Sequence, residues 1–110
     1  MSDAPPPAFT QADIDAAAAH DARVRTVVAA ERLHGRLTDE QGDLFALMAT
    51  LRESAEEAMK TFAYADLSDT RLLQDLQARV FRFRIAYDTF AATIEAGNQA
   101  RVSIMDEARL

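Results

Sequence analysis

Leu73, Leu76, Val80, Phe83, Tyr87, Phe90 and Ile94 recur at alternating spacings of three and four residues. That rhythm draws one apolar stripe along a helix of 3.6 residues per turn, the pattern of a heptad seam. The segment Val80–Tyr87 also alternates, and as a strand it would set Phe81, Phe83, Ile85 and Tyr87 on one side. The heptad continues on both sides of this segment and no turn residue bounds it, so helix is the better reading. A helix with such a stripe has to lay it against another helix.

A second stripe precedes the first. Leu44, Met48, Leu51, Ala55, Ala58 and Phe62 recur at four and three, widened by Leu47 and Met59. Thr38-Asp-Glu-Gln41 matches a capping box and would open this helix. Asp66-Leu-Ser-Asp69 would connect it to the third, with Asp66 or Ser68 as cap. The first helix is weaker. Thr10 is a good N-cap with Asp13 in the first turn, where the helix dipole favours an acid. Its apolar face of Ile14, Ala17, Val24, Val27 and Val28 is interrupted by Asp21 and Glu31. Gly35 is expected to close it as a left-handed cap, and Gly97-Asn98 to break the third helix.

The predicted architecture is therefore all-α, an antiparallel three-helix bundle of one domain. An extended Pro-rich tail spans residues 1–9, where Pro5, Pro6 and Pro7 favour polyproline II. Helices are expected at about 11–34, 39–64 and 69–96, with a short C-terminal helix at 99–108. Matched helices of roughly 35–40 Å with short connections favour antiparallel neighbours.

Charge narrows the function classes. The 110 residues carry 18 acids and 12 bases, a net charge of −6. That balance opposes nonspecific binding to nucleic acid and to anionic membranes. There is no cysteine, which excludes disulfides and thiolate metal sites. No apolar run approaches the roughly 20 residues needed to span a bilayer. Residues 1–7 have neither the basic region nor the apolar stretch of a signal peptide. A cytoplasmic or virion setting is the expectation. All the basic residues but Lys60 are arginine, and alanine is abundant, a usage that fits a GC-rich bacterial genome or its phages.

No constellation points to catalysis, and no cofactor is expected. Glu31-Arg-Leu-His34 has the Glu-x-x-His spacing of carboxylate metal sites, but a full site needs a second such pair, which only a dimer could supply. As a last-turn residue His34 is better explained by the helix dipole. Arg79, Arg82 and Arg84 interleave with Phe81 and Phe83, a pattern that could hold single-stranded nucleic acid. Residues 68–96 have no net charge, however, while residues 38–66 carry −5. The arginines are expected to answer the acidic second helix across the seam.

Two surfaces stand out as partner-binding candidates. Phe81 and Ile85 lie off the heptad, and Phe62, Tyr64 and Leu67 cluster near one end. The first helix has too little apolar surface to cover what the other two present. Glu53, Glu56 and Glu57 form an acidic patch. The expected function is a noncatalytic helical interaction or assembly protein that binds itself or another protein. A phage or virion component and a secretion-type chaperone both fit. The alternative is a small acidic regulator or inhibitor of a nucleic-acid enzyme that imitates phosphate charge with its acidic face. A carboxylate–metal protein completed by a dimer comes third.

Overall fold

The computed structural model describes residues 8–109, and these are helical with no strand. Three helices follow in order: α1 (Gln11–Thr38), α2 (Asp43–Phe62) and α3 (Thr70–Ala108). The class is the expected one. Of the predicted Pro-rich tail, residues 1–7 lie outside the described residues, and residues 8–10 are exposed and non-helical.

The helices are not stacked side by side as a three-helix bundle. α3 is 39 residues long, about 58 Å at 1.5 Å per residue, and serves as a spine. Both α1 and α2 pack on it far more than on each other. α2 takes the N-terminal half, where Ala58 and Phe62 face Leu73 and Leu76, and Phe45 and Met48 face Phe90 and Ile94. α1 takes the C-terminal half. Ala30 meets Gly97, Glu31 bonds Arg101 at 2.5 Å, and Glu107 receives both Arg23 and His20, the latter at 3.1 Å. Along rising α3 numbers the facing residues fall through α2 and then through α1. The two shorter helices thus run end to end in one direction, antiparallel to α3. The result is a rod of 90 × 31 × 22 Å, a long helical hairpin with one broken arm.

Local chemistry explains the ends. Thr10 caps α1 as expected. Its hydroxyl accepts from the Asp13 N–H at 3.1 Å, while the Asp13 carboxylate accepts from the Thr10 N–H at 3.0 Å. The bond from the Thr10 backbone, then that from its side chain, holds the Asp13 carboxyl below the usual aspartate range. Asp69 caps α3 by accepting from the Leu72 N–H at 3.1 Å, so neither Asp66 nor Ser68 has that role. Asp66 instead accepts from both the backbone and the hydroxyl of Ser68, which lower its pKa in that order.

Three expected punctuation marks are overridden. Gly35 does not end α1, which continues to Thr38, and among the described residues no glycine has positive φ. The Thr38 hydroxyl bonds back to the His34 carbonyl at 2.9 Å rather than opening a capping box. Gly42 stands at the N-cap of α2 without a side-chain bond. The segment 97–98 does not break α3, so there is no separate C-terminal helix. Gly97 is buried, and a Cβ there would stand 2.1 Å from the Cβ of Ala30. Its missing side chain serves close approach of α1 to α3, not a turn.

The two glycines therefore predict opposite outcomes. Gly35 has nothing within 4 Å of its would-be Cβ, so Gly35→Ala should stabilise the fold by roughly 0.5–1 kcal/mol through helix propensity alone. Gly97→Ala gains the same propensity but must push α1 and α3 apart, a cost of about 1–3 kcal/mol. Thermal melts should show the midpoint rising for the first and falling for the second.

The Asp13 cap predicts an acid response. A carboxyl whose folded pKa is depressed stabilises above its unfolded value and loses that contribution as pH falls through the folded one. Amide protection at the start of α1, taken relative to the intrinsic exchange rate at each pH, should therefore fall below about pH 4. Asp13→Asn should flatten that response while leaving exchange in the middle of α3 unchanged.

Candidate docking face

A pair of helices touches along a line, so residues on the seam stay open to solvent on two sides. The described residues reflect this. The buried side chains are Ala30, Ala55, Ala58, Leu76 and Ala100, and no large side chain is fully enclosed. On one side of the α2/α3 seam the uncovered residues form a groove built from three hollows. The first, about 540 Å³, lies between Phe45 and Met48 of α2 and Phe83, Tyr87 and Ile94 of α3. A second, about 420 Å³, shares Arg52, Phe83 and Tyr87 with it. A third, about 470 Å³, shares Met59 and Val80 with the second and ends at Phe62. Shared walls make the three continuous along the length of α2.

The groove floor is apolar and its rim is charged. Met59 is 63% exposed and Tyr87 58%, high values for residues on a heptad seam. The Phe83 and Tyr87 rings meet at 6.1 Å in a tilted pair that stiffens the middle of the wall. Arg52 and Glu56 rise from α2, and Arg84 and Asp88 from α3, all four around the central hollow. Arg84 and Asp88 are 3.7 Å apart along α3. Among the described residues neither Arg52 nor Glu56 has an ion-pair partner.

The sequence-derived candidates fall in several places. Phe62 closes one end of the groove and Glu56 stands on its rim. Phe81 and Ile85 do not join them. They follow buried Leu76 by five and nine positions, about 140° and 180° around the helix, and project from the outer side of α3 at 54% and 59% exposure. Tyr64 and Leu67 are exposed in the connection between α2 and α3. Glu53 and Glu57 are exposed away from the groove, unpaired among the described residues. Among the described residues the cross-seam pairing expected for the α3 arginines is absent. Arg79 bonds Asp75 at 3.2 Å and Arg84 pairs with Asp88, both within α3. The reason is proximity: an acid one turn away on the same helix is reached before one across the seam.

The groove residues Met48, Met59, Val80 and Tyr87 are legible in sequence as parts of the two stripes, which by pattern alone imply the interior of a bundle; Phe45, next to Leu44, lies outside both stripes and is placed in the groove only by the structure. With α1 laid along the other half of α3 and touching the first hollow only at Leu37, no third helix among the described residues covers them. At the α1/α3 end, Glu31 is engaged by Arg101, and His34 lies across a small hollow from both Ile94 and Asn98. Among the described residues no three metal-capable side chains converge.

Comparison with protein-family models, with curated proteins and with solved structures finds no match to this chain.

Proposed function

We propose that this chain is a noncatalytic interaction and assembly protein whose half-open interior is completed by the surface of another protein chain. The supporting observation is its surface. The accessible area is 8836 Å². A compact monomer of 12.1 kDa would expose about 6,000 Å². Seven wholly solvated residues add at most about 1,000 Å² at the unfolded-chain rate, so residues 1–7 leave most of the difference standing. The chain buries only about half of what its unfolded form exposes, against roughly 65% for a domain of this length.

The uncovered area is predominantly apolar along the seam, which favours a protein surface over a charged ligand. The net charge of −6 points away from nucleic acid. Among the described residues no helix is long and apolar enough to cross a membrane. A partner that supplies side chains to the groove would turn the two-helix contact into a closed interior.

This reading predicts an inadequate monomer. On dilution to the point where sedimentation gives a single chain, melting should be broad and of low midpoint, with binding of a dye that reports exposed apolar surface. A dilute monomer that melts sharply at a high, concentration-independent midpoint and binds no dye would contradict it.

A further inference from the structure

We infer that the occupant of the α2/α3 groove is the same groove of a second copy of this chain, the two related by a two-fold axis in a four-helix core. The inference rests on the proposed completion of the interior by another chain, and it names that chain.

Area is the first support. After the allowance for residues 1–7, each chain exposes about 1,800 Å² more than a compact monomer of its mass. That excess is spread over the whole rod, and its share in the groove, where Phe45, Met59, Phe62 and Tyr87 are exposed on each copy, is the part that a groove-to-groove contact covers.

Charge is the second support, and it is specific to a like partner. The central rim bears one arginine and one acid on each helix, spaced by one turn: Arg52 and Glu56 on α2, Arg84 and Asp88 on α3. Because the helices are antiparallel, Arg52 stands at the level of Asp88 and Glu56 at the level of Arg84. With the two-fold axis along the rod, α2 lies over the α3 of the other copy, and Arg52 meets the partner's Asp88 while Glu56 meets the partner's Arg84. With the axis across the rod, like helices face each other in opposite directions. Arg52 then meets the partner's Glu56, and Arg84 the partner's Asp88. Either two-fold sets opposite charges together, as an isologous contact requires. The apolar floor beneath, from Phe45 through Phe83 to Phe62, supplies the surface that closes against its own copy.

Charge reversal on the rim tests this with the full chain. Arg52→Glu/Arg84→Glu makes the rim wholly acidic, and Glu56→Arg/Asp88→Arg makes it wholly basic. All four positions are exposed, so the helices themselves tolerate the changes. By light scattering and sedimentation the unaltered protein should be a dimer. Each variant alone should dimerise roughly 100-fold more weakly or worse, since like charges would be juxtaposed. Mixing the two should restore a one-to-one dimer and, where helicity was lost on dissociation, restore that as well. Lys60→Glu/Arg82→Glu, an equal charge change away from the groove, should leave the dimer intact.

The inference is overturned if either rim variant alone dimerises as tightly as the unaltered chain, if mixing restores nothing, or if the control variant dissociates equally. In those outcomes self-association stands and the groove is not its interface. An unaltered protein that stays monomeric at all concentrations also overturns it. The dilution melt then decides separately whether a different chain completes the interior.

Discussion

Two cylinders in contact share a line, and most features of this molecule descend from that constraint. α3 carries a single apolar stripe from Leu73 to Ile94, and over most of its 39 residues it meets one other helix, α2 or α1, the two overlapping only around Ile94. A two-helix cross-section can hide alanine, glycine and an occasional leucine at the line of contact. It cannot hide phenylalanine, methionine or tyrosine, which reach past the line into solvent. Tyr87 is thus exposed although it obeys the heptad, as is Met59 on the widened flank of the α2 stripe, and the groove is the direct geometric remainder of a two-helix contact.

The contact line is drawn by small residues. On the α1 side the helices approach so closely at Gly97 and Ala30 that a methyl group does not fit. Ala100 continues that line one turn on. On the α2 side buried Ala58 lies opposite Leu76 and buried Ala55 opposite Val80 and Phe83. Close approach gains dispersion contacts along the backbone but leaves little apolar volume at the centre. The ion pairs of Glu107 with Arg23 and His20, and of Glu31 with Arg101, align α1 on the spine. They are solvent-exposed and of small worth to stability.

The helical class and the α3 stripe are legible in the sequence because periodicity reports burial directly. Leu76 is buried, and Leu73, Val80, Phe83, Phe90 and Ile94 are half-buried. The arrangement is not legible, for a reason carried by particular residues. A glycine that ends a helix and a glycine that admits a neighbour are the same letter. Gly97 differs from a breaker only in having Ala30 opposite, which no local pattern reveals. Once a break is placed there, α3 becomes two elements, the remaining helices match in length, and a compact bundle follows. The same misplaced break hides the candidate site: Phe45, Met59 and Tyr87 belong to an interior only if α1 folds back over them. Phe81 and Ile85 do lie off the seam, as the heptad implies, but their outer position separates them from the groove.

The end-to-end placement of α1 and α2 along α3 is the central claim, and one distance tests it. The chain has no cysteine, so Asp15→Cys/Lys60→Cys gives two clean positions for spin labels. In the rod these sites lie near opposite ends of the broken arm, about 55 Å apart, counting levels along the α3 axis at 1.5 Å per residue because Leu37 and Phe45 both stand level with Ile94. In a compact antiparallel bundle the start of α1 would sit beside the end of α2, within about 20 Å given the diameter of packed helices. Pulsed dipolar spectroscopy on labelled chains diluted with unlabelled protein reads the intramolecular distance alone. A distribution centred near the longer distance supports the rod, and one centred near the shorter would contradict it.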